Sequence, residues 1–117
     1  GICAEGASSY LFPLILGTSK ANEVLSLNHK MSAQEALRFN LVAHVYKDES
    51  EIWERLAQID ELPLGSIMAN KRLVRGAQVK MLEKANEDEL KELAKRFETE
   101  EAFEAMIKFQ QRRRSKL

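Results

Sequence analysis

Apolar positions in this chain fall in short groups divided by turn-forming residues, and their spacing predicts a succession of helices. Glu5, Gly6, Ala7, Ser8 and Ser9 precede an apolar stretch from Tyr10 to Leu16. Pro13 lies inside it and should limit or kink any helix there, because proline lacks the N–H that a helix interior uses. Gly17 ends the segment. Thr18 or Ser19 can cap a second helix, with Ala21, Val24, Leu25 and Leu27 as its apolar face and Asn28 and His29 as its exit. Ser32 and Glu35 form a Ser-x-x-Glu capping box that opens a short helix through Leu37 to Phe39. Asn40 marks the following turn, and Leu41 to Tyr46 reads as a brief extended segment.

From Ser50 the pattern is almost wholly helical. Ile52, Trp53, Leu56 and Ile59 recur at helical spacing until Pro63 and Gly65 break it. Ser66 restarts it, and Ile67, Met68, Leu73 and Val74 predict a helix to about Arg75. Gly76 then separates that helix from a long charged one running from about Val79 to Phe97. The alternating acids and bases between Glu83 and Lys95 read as a solvated face with i to i+4 pairs. Thr99 caps a last helix whose stripe is Phe103, Met106, Ile107 and Phe109. The expected class is mostly α.

Composition narrows this picture. A chain of 117 residues with 44% hydrophobic content can bury one modest core. Formal charge is zero, which removes the bulk electrostatic case for nucleic acid, although five cations (Lys108, Arg112, Arg113, Arg114 and Lys116) crowd the last eleven residues. Cys3 is the single cysteine and cannot form an internal disulfide. Without a second cysteine or paired histidines at ligand spacing, no metal site is expected, and His29 and His44 read as structural. There is no apolar run of spanning length and no signal segment at the start, so neither a membrane nor a secreted setting is expected. The chain ends in Ser115-Lys116-Leu117, an address read by the peroxisomal import receptor, so the peroxisome matrix is the expected location. Residues and composition alone support a soluble helical domain with exposed apolar stripes, suited to packing on other protein.

The order of local signals goes further. Glu5-Gly6-Ala7-Ser8-Ser9-Tyr10-Leu11-Phe12-Pro13, then Lys20-Ala21-Asn22-Glu23-Val24-Leu25, then Met31-Ser32-Ala33-Gln34-Glu35-Ala36-Leu37 with Asn40-Leu41-Val42 resemble the C-terminal part of the crotonase (enoyl-CoA hydratase and isomerase) superfamily. Asn40 stands where glycine is usual, and both residues accept a left-handed turn. Within the superfamily the chain is most similar to peroxisomal Δ3,Δ2-enoyl-CoA isomerases, in the turn at Glu5 and in the terminal tripeptide. The resemblance implies the C-terminal helical region of a crotonase fold, with the β-rich spiral core and the oxyanion-hole loops lying upstream. Residues 1–46 would end the core and carry the base, 47–114 would form a packing and oligomerisation region that builds a homotrimer, and 115–117 would be the targeting signal.

The resemblance also implies chemistry. Glu5 would take a proton from C2 of a 3-enoyl-CoA and return it at C4, with no metal and no cofactor beyond the coenzyme A of the substrate itself. It would also place Lys108, Phe109, Arg112 and Arg113 near the adenine and phosphates of CoA, where an aromatic ring can stack and guanidinium groups can pair with phosphate. The helix start ahead of Tyr10 would make Glu5 a weaker base, and an apolar acyl pocket would push the other way. Two alternatives remain: a hydratase-like enzyme, which needs two glutamates from upstream, and a noncatalytic helical oligomerisation or interaction module.

Overall fold

The computed structural model describes residues 3–114 as seven helices: α1 (Ser8–Leu16), α2 (Thr18–Leu27), α3 (Ala33–Arg38), α4 (Glu49–Asp60), α5 (Leu64–Gly76), α6 (Val79–Phe97) and α7 (Glu100–Arg114). No strand occurs among the described residues. The segment from Leu41 to Tyr46, expected to be extended, joins no strand ladder among the described residues.

Several boundaries follow from single residues. α1 runs through Pro13 to Leu16, so the expected limit at proline is not observed. Proline inside a helix costs about 3 kcal/mol, and the packing of α1 against both α2 and α6 opposes that cost. Gly17, at φ 76°, both ends α1 and precedes α2; the second helix has no side-chain cap, and Thr18 is its first residue and not its cap. Ser32 Oγ accepts from the Glu35 N–H at 3.1 Å, which is half of the predicted capping box. The other half is missing because the Glu35 carboxylate turns to Lys20 and His29.

At the end of α3, Asn40 has φ 60°. The Leu41 N–H bonds the Ala36 carbonyl at 2.8 Å and the Asn40 N–H bonds the Leu37 carbonyl at 3.1 Å. This is a complete Schellman motif. Asp48 caps α4 by accepting from Ser50 and Glu51, and Thr99 Oγ1 accepts from Ala102 at the start of α7.

The tight core is small. Ala7, Leu16, Ala21, Ala36 and Ala102 are buried together with one charged residue, Glu89. α1 packs on α2 and α6, and α6 touches α7. Four of the five buried apolar residues are alanines, which lets backbones approach closely, while Trp53, Leu64, Leu73, Val74 and Phe103 stay exposed. On α7 the inward residue is Ala102, and the predicted stripe of Phe103, Met106, Ile107 and Phe109 faces outward. The radius of gyration is 18.3 Å, against about 13 Å for a compact chain of this length.

Candidate active site

Glu5 lies on the turn that leads into α1. The Ser8 N–H bonds the Glu5 carbonyl at 3.2 Å, and Gly6 and Ala7 between them are both left-handed, at φ 66° and 61°. Two successive positive-φ residues are the mark of a type I′ turn. Glycine adopts this geometry without penalty, whereas Ala7 is strained by its Cβ. The turn leaves Glu5 exposed, two residues ahead of the cap position. Its carboxylate has no hydrogen-bond partner among the described residues.

The donors at the start of α1 belong to another acid. Glu89, from α6, accepts from the Ala7 N–H at 2.6 Å and from the Ser9 N–H at 2.7 Å. It is 7% exposed. The Ala7 and Ser9 amides at the helix start are thus bonded to a carboxylate 82 and 80 residues away in the chain, and not to Glu5. The solvated face expected between Glu83 and Lys95 holds for Asp88 with Lys84 and for Glu92 with Lys95, but not for Glu89. The sequence carries a signal for this exception. Leu82, Ala85, Glu89, Leu93 and Arg96 follow one another at intervals of three and four, so Glu89 sits in the stripe that α6 turns inward.

A second polar cluster fixes α3 against α2. Lys20 pairs with Glu23 and Glu35, and its ammonium sits 4.7 Å from the centre of the Phe39 ring. His29 Nε2 lies 2.8 Å from Glu35 Oε2. The hydrogen bond from Lys20, followed by that from His29, pulls the Glu35 carboxyl down from 4.5 to about 2, and Glu23 and then Glu35 raise the Lys20 ammonium. His29 thus joins this cluster through its hydrogen bond to Glu35.

The remaining predicted site residues lie apart from Glu5. Lys108 pairs with Glu104 at 3.3 Å along α7, and Phe109 is 63% exposed. Arg112 and Arg113 belong to the backbone of α7, and their side chains, like Ser115, Lys116 and Leu117, lie outside the described residues. An open apolar cleft of about 620 Å³ lies along α4 and the start of α5, lined by Trp53, Leu56, Ile59, Leu62, Leu64 and Ile67. It contains none of the predicted site residues. Among the described residues no group of three His, Cys, Asp or Glu side chains could hold a metal, and no helix is long and apolar enough to cross a membrane.

Residues 1–117 match the enoyl-CoA hydratase/isomerase family. The chain is 36% identical over 112 residues to enoyl-CoA delta isomerase 2 of Rattus norvegicus, covering 93% of this chain and 29% of that protein. It is 32% identical over 108 residues to enoyl-CoA delta isomerase 3, peroxisomal, of Mus musculus, covering 90% of this chain and 34% of that one. The fold superposes on an enoyl-CoA hydratase/isomerase from Pseudoalteromonas atlantica with a TM-score of 0.83 at 31% identity, over 96% of this chain and 46% of the other. The chain thus spans about a third or less of the two isomerases' length.

Proposed function

This chain belongs to the enoyl-CoA hydratase/isomerase family, and we propose that it supplies the proton-transferring carboxylate of a Δ3,Δ2-enoyl-CoA isomerase. The observation that carries the reading is Glu5, exposed on a left-handed turn beside the Ala7 and Ser9 amides, which are bonded to Glu89. A carboxylate so placed can act as base and then as acid.

In a 3-enoyl-CoA the C2 protons are acidified by the thioester and by the adjacent double bond. Glu5 takes one of them, the C2–H electrons pass into a dienolate, and negative charge gathers on the thioester oxygen. The same carboxylic acid then gives its proton to C4, leaving the double bond between C2 and C3. One group suffices because the proton moves along a single face of a short allylic system. Donors for the enolate oxygen would come from upstream segments of a longer protein, in which losing one such donor costs about a hundredfold or more. The substrate brings its own coenzyme A, and no further cofactor enters the scheme.

Lys108, Phe109, Arg112 and Arg113 are proposed to meet the CoA moiety, with Phe109 against adenine and the cations toward phosphate. The exposure of Phe109 supports that role. We further propose a homotrimer, and delivery to the peroxisome matrix through a receptor that reads Ser115, Lys116 and Leu117. The similarity to a mouse isomerase named as peroxisomal supports that location, as does the origin of 3-enoyl-CoA in the β-oxidation of unsaturated fatty acids.

Product analysis separates isomerase from hydratase. The protein extended upstream, given 3-enoyl-CoA, should release 2-trans-enoyl-CoA; given 2-trans-enoyl-CoA, it should add no water. Accumulation of 3-hydroxyacyl-CoA from the second substrate would favour the hydratase.

A further inference from the structure

We propose that Glu89 is a positioning residue for Glu5: from α6 it holds the left-handed Gly6–Ala7 turn and occupies the Ala7 and Ser9 amides at the start of α1, so that the catalytic carboxylate is fixed and not drawn onto them. This rests on Glu5 being the base.

Three observations converge on it. The first is burial with pairing. A carboxylate buried on a stripe with Leu82, Ala85 and Leu93 is costly unless it is bonded, and its two bonds, at 2.6 and 2.7 Å, have the short lengths of charge-assisted pairs. The other acids of α6 face solvent, and Asp88 and Glu92 pair within the helix. The second is strain. Ala7 is a buried non-glycine residue at φ 61°, and such a conformation persists only where the surroundings impose it. Glu89 bonds the N–H of that same residue. The third is competition for donors. α1 has no cap from its own side chains, and free amides at a helix start attract the nearest anion. Glu5 is two residues away. Bonded to those amides, its carboxylate would be a weaker base and would point along α1.

The test uses the protein extended upstream. Glu89→Gln keeps the shape of the side chain and removes its charge. It should lower kcat by about tenfold to a hundredfold, with KM for 3-enoyl-CoA within about twofold. Glu92→Gln, a charge removal on the solvent side of α6, should leave kcat unchanged. Adding Ala7→Gly to Glu89→Gln should restore much of the lost kcat, because glycine holds the turn without help; a side chain that served only helix packing would not be rescued in this way. Hydrogen exchange provides a readout independent of turnover: the amides of Ala7 and Ser9 should exchange faster in Glu89→Gln while those inside α2 keep their protection. A kcat that falls only in proportion to the folded fraction, or unchanged exchange at Ala7 and Ser9, would overturn the proposal. Normal kcat in Glu89→Gln beside an inactive Glu5→Gln overturns the positioning role alone, whereas normal turnover in Glu5→Gln overturns the isomerase reading itself.

Discussion

At the scale of single residues, the chain separates its acids by environment. Glu5 is exposed and has no partner among the described residues, Glu89 is buried on two amides, and Glu35 is held by Lys20 and His29. The Glu35 case carries a prediction for pH. Its carboxyl lies near 2 in the folded chain against an ordinary 4.5, so the folded state binds its proton less readily than the unfolded state. The stability this contributes is fully present above about pH 4.5 and is lost as pH falls through about 2. Glu35→Gln should therefore lower stability at neutral pH and flatten the decline between pH 4.5 and 2, as followed by urea unfolding at several pH values. A decline of unchanged steepness in the variant would refute the assignment.

At the scale of elements, the ends of helices carry much of the specification. Asn40 closes the Schellman motif of α3 in the left-handed region, where a residue with an ordinary Cβ costs roughly 1–2 kcal/mol. Asn40→Ala should destabilise the fold by about 1 kcal/mol, read from the denaturation midpoint. These ends were legible because their signals are local: Ser32 lies three residues from the N–H it caps, and Asn40 sits inside the turn it makes. Glu89 was not legible as a partner of α1, since its bonds cross 82 and 80 residues of sequence. The Leu41–Tyr46 segment joins no ladder among the described residues, because strand pairing depends on a neighbour that the local pattern does not contain. On α7, Ala102 and the four large apolar residues near it offered two possible inward faces, and the fold buries the alanine. The proposed CoA contacts of that helix are testable through salt. Arg112→Ala with Arg113→Ala should weaken CoA binding and reduce its salt dependence, as measured by calorimetry; unchanged affinity would leave those cations as solvated ends.

At the scale of the whole molecule, the most telling feature is how little is covered. Trp53, Leu64, Leu73, Val74 and Phe103 are all more than half exposed, and the radius of gyration exceeds that of a compact chain of this length. Large exposed apolar areas call for a cover, and in the proposed arrangement the upstream core and neighbouring subunits provide it. Light scattering on the protein extended upstream should give the mass of a trimer; a monomer of unchanged activity would remove the oligomeric part of the proposal. The helical class was legible from periodicity, whereas the packing of α1 against α6 came only with the tertiary structure. That packing brings Glu89 to the turn below Glu5, and the central claim is that Glu5 then moves the proton. The most direct test is the rate at which the protein extended upstream converts 3-enoyl-CoA to 2-trans-enoyl-CoA, before and after Glu5→Gln. Glu5→Gln should lower kcat by about a hundredfold or more with folding retained; turnover within a few-fold of the unsubstituted protein would contradict the role of Glu5 as the base.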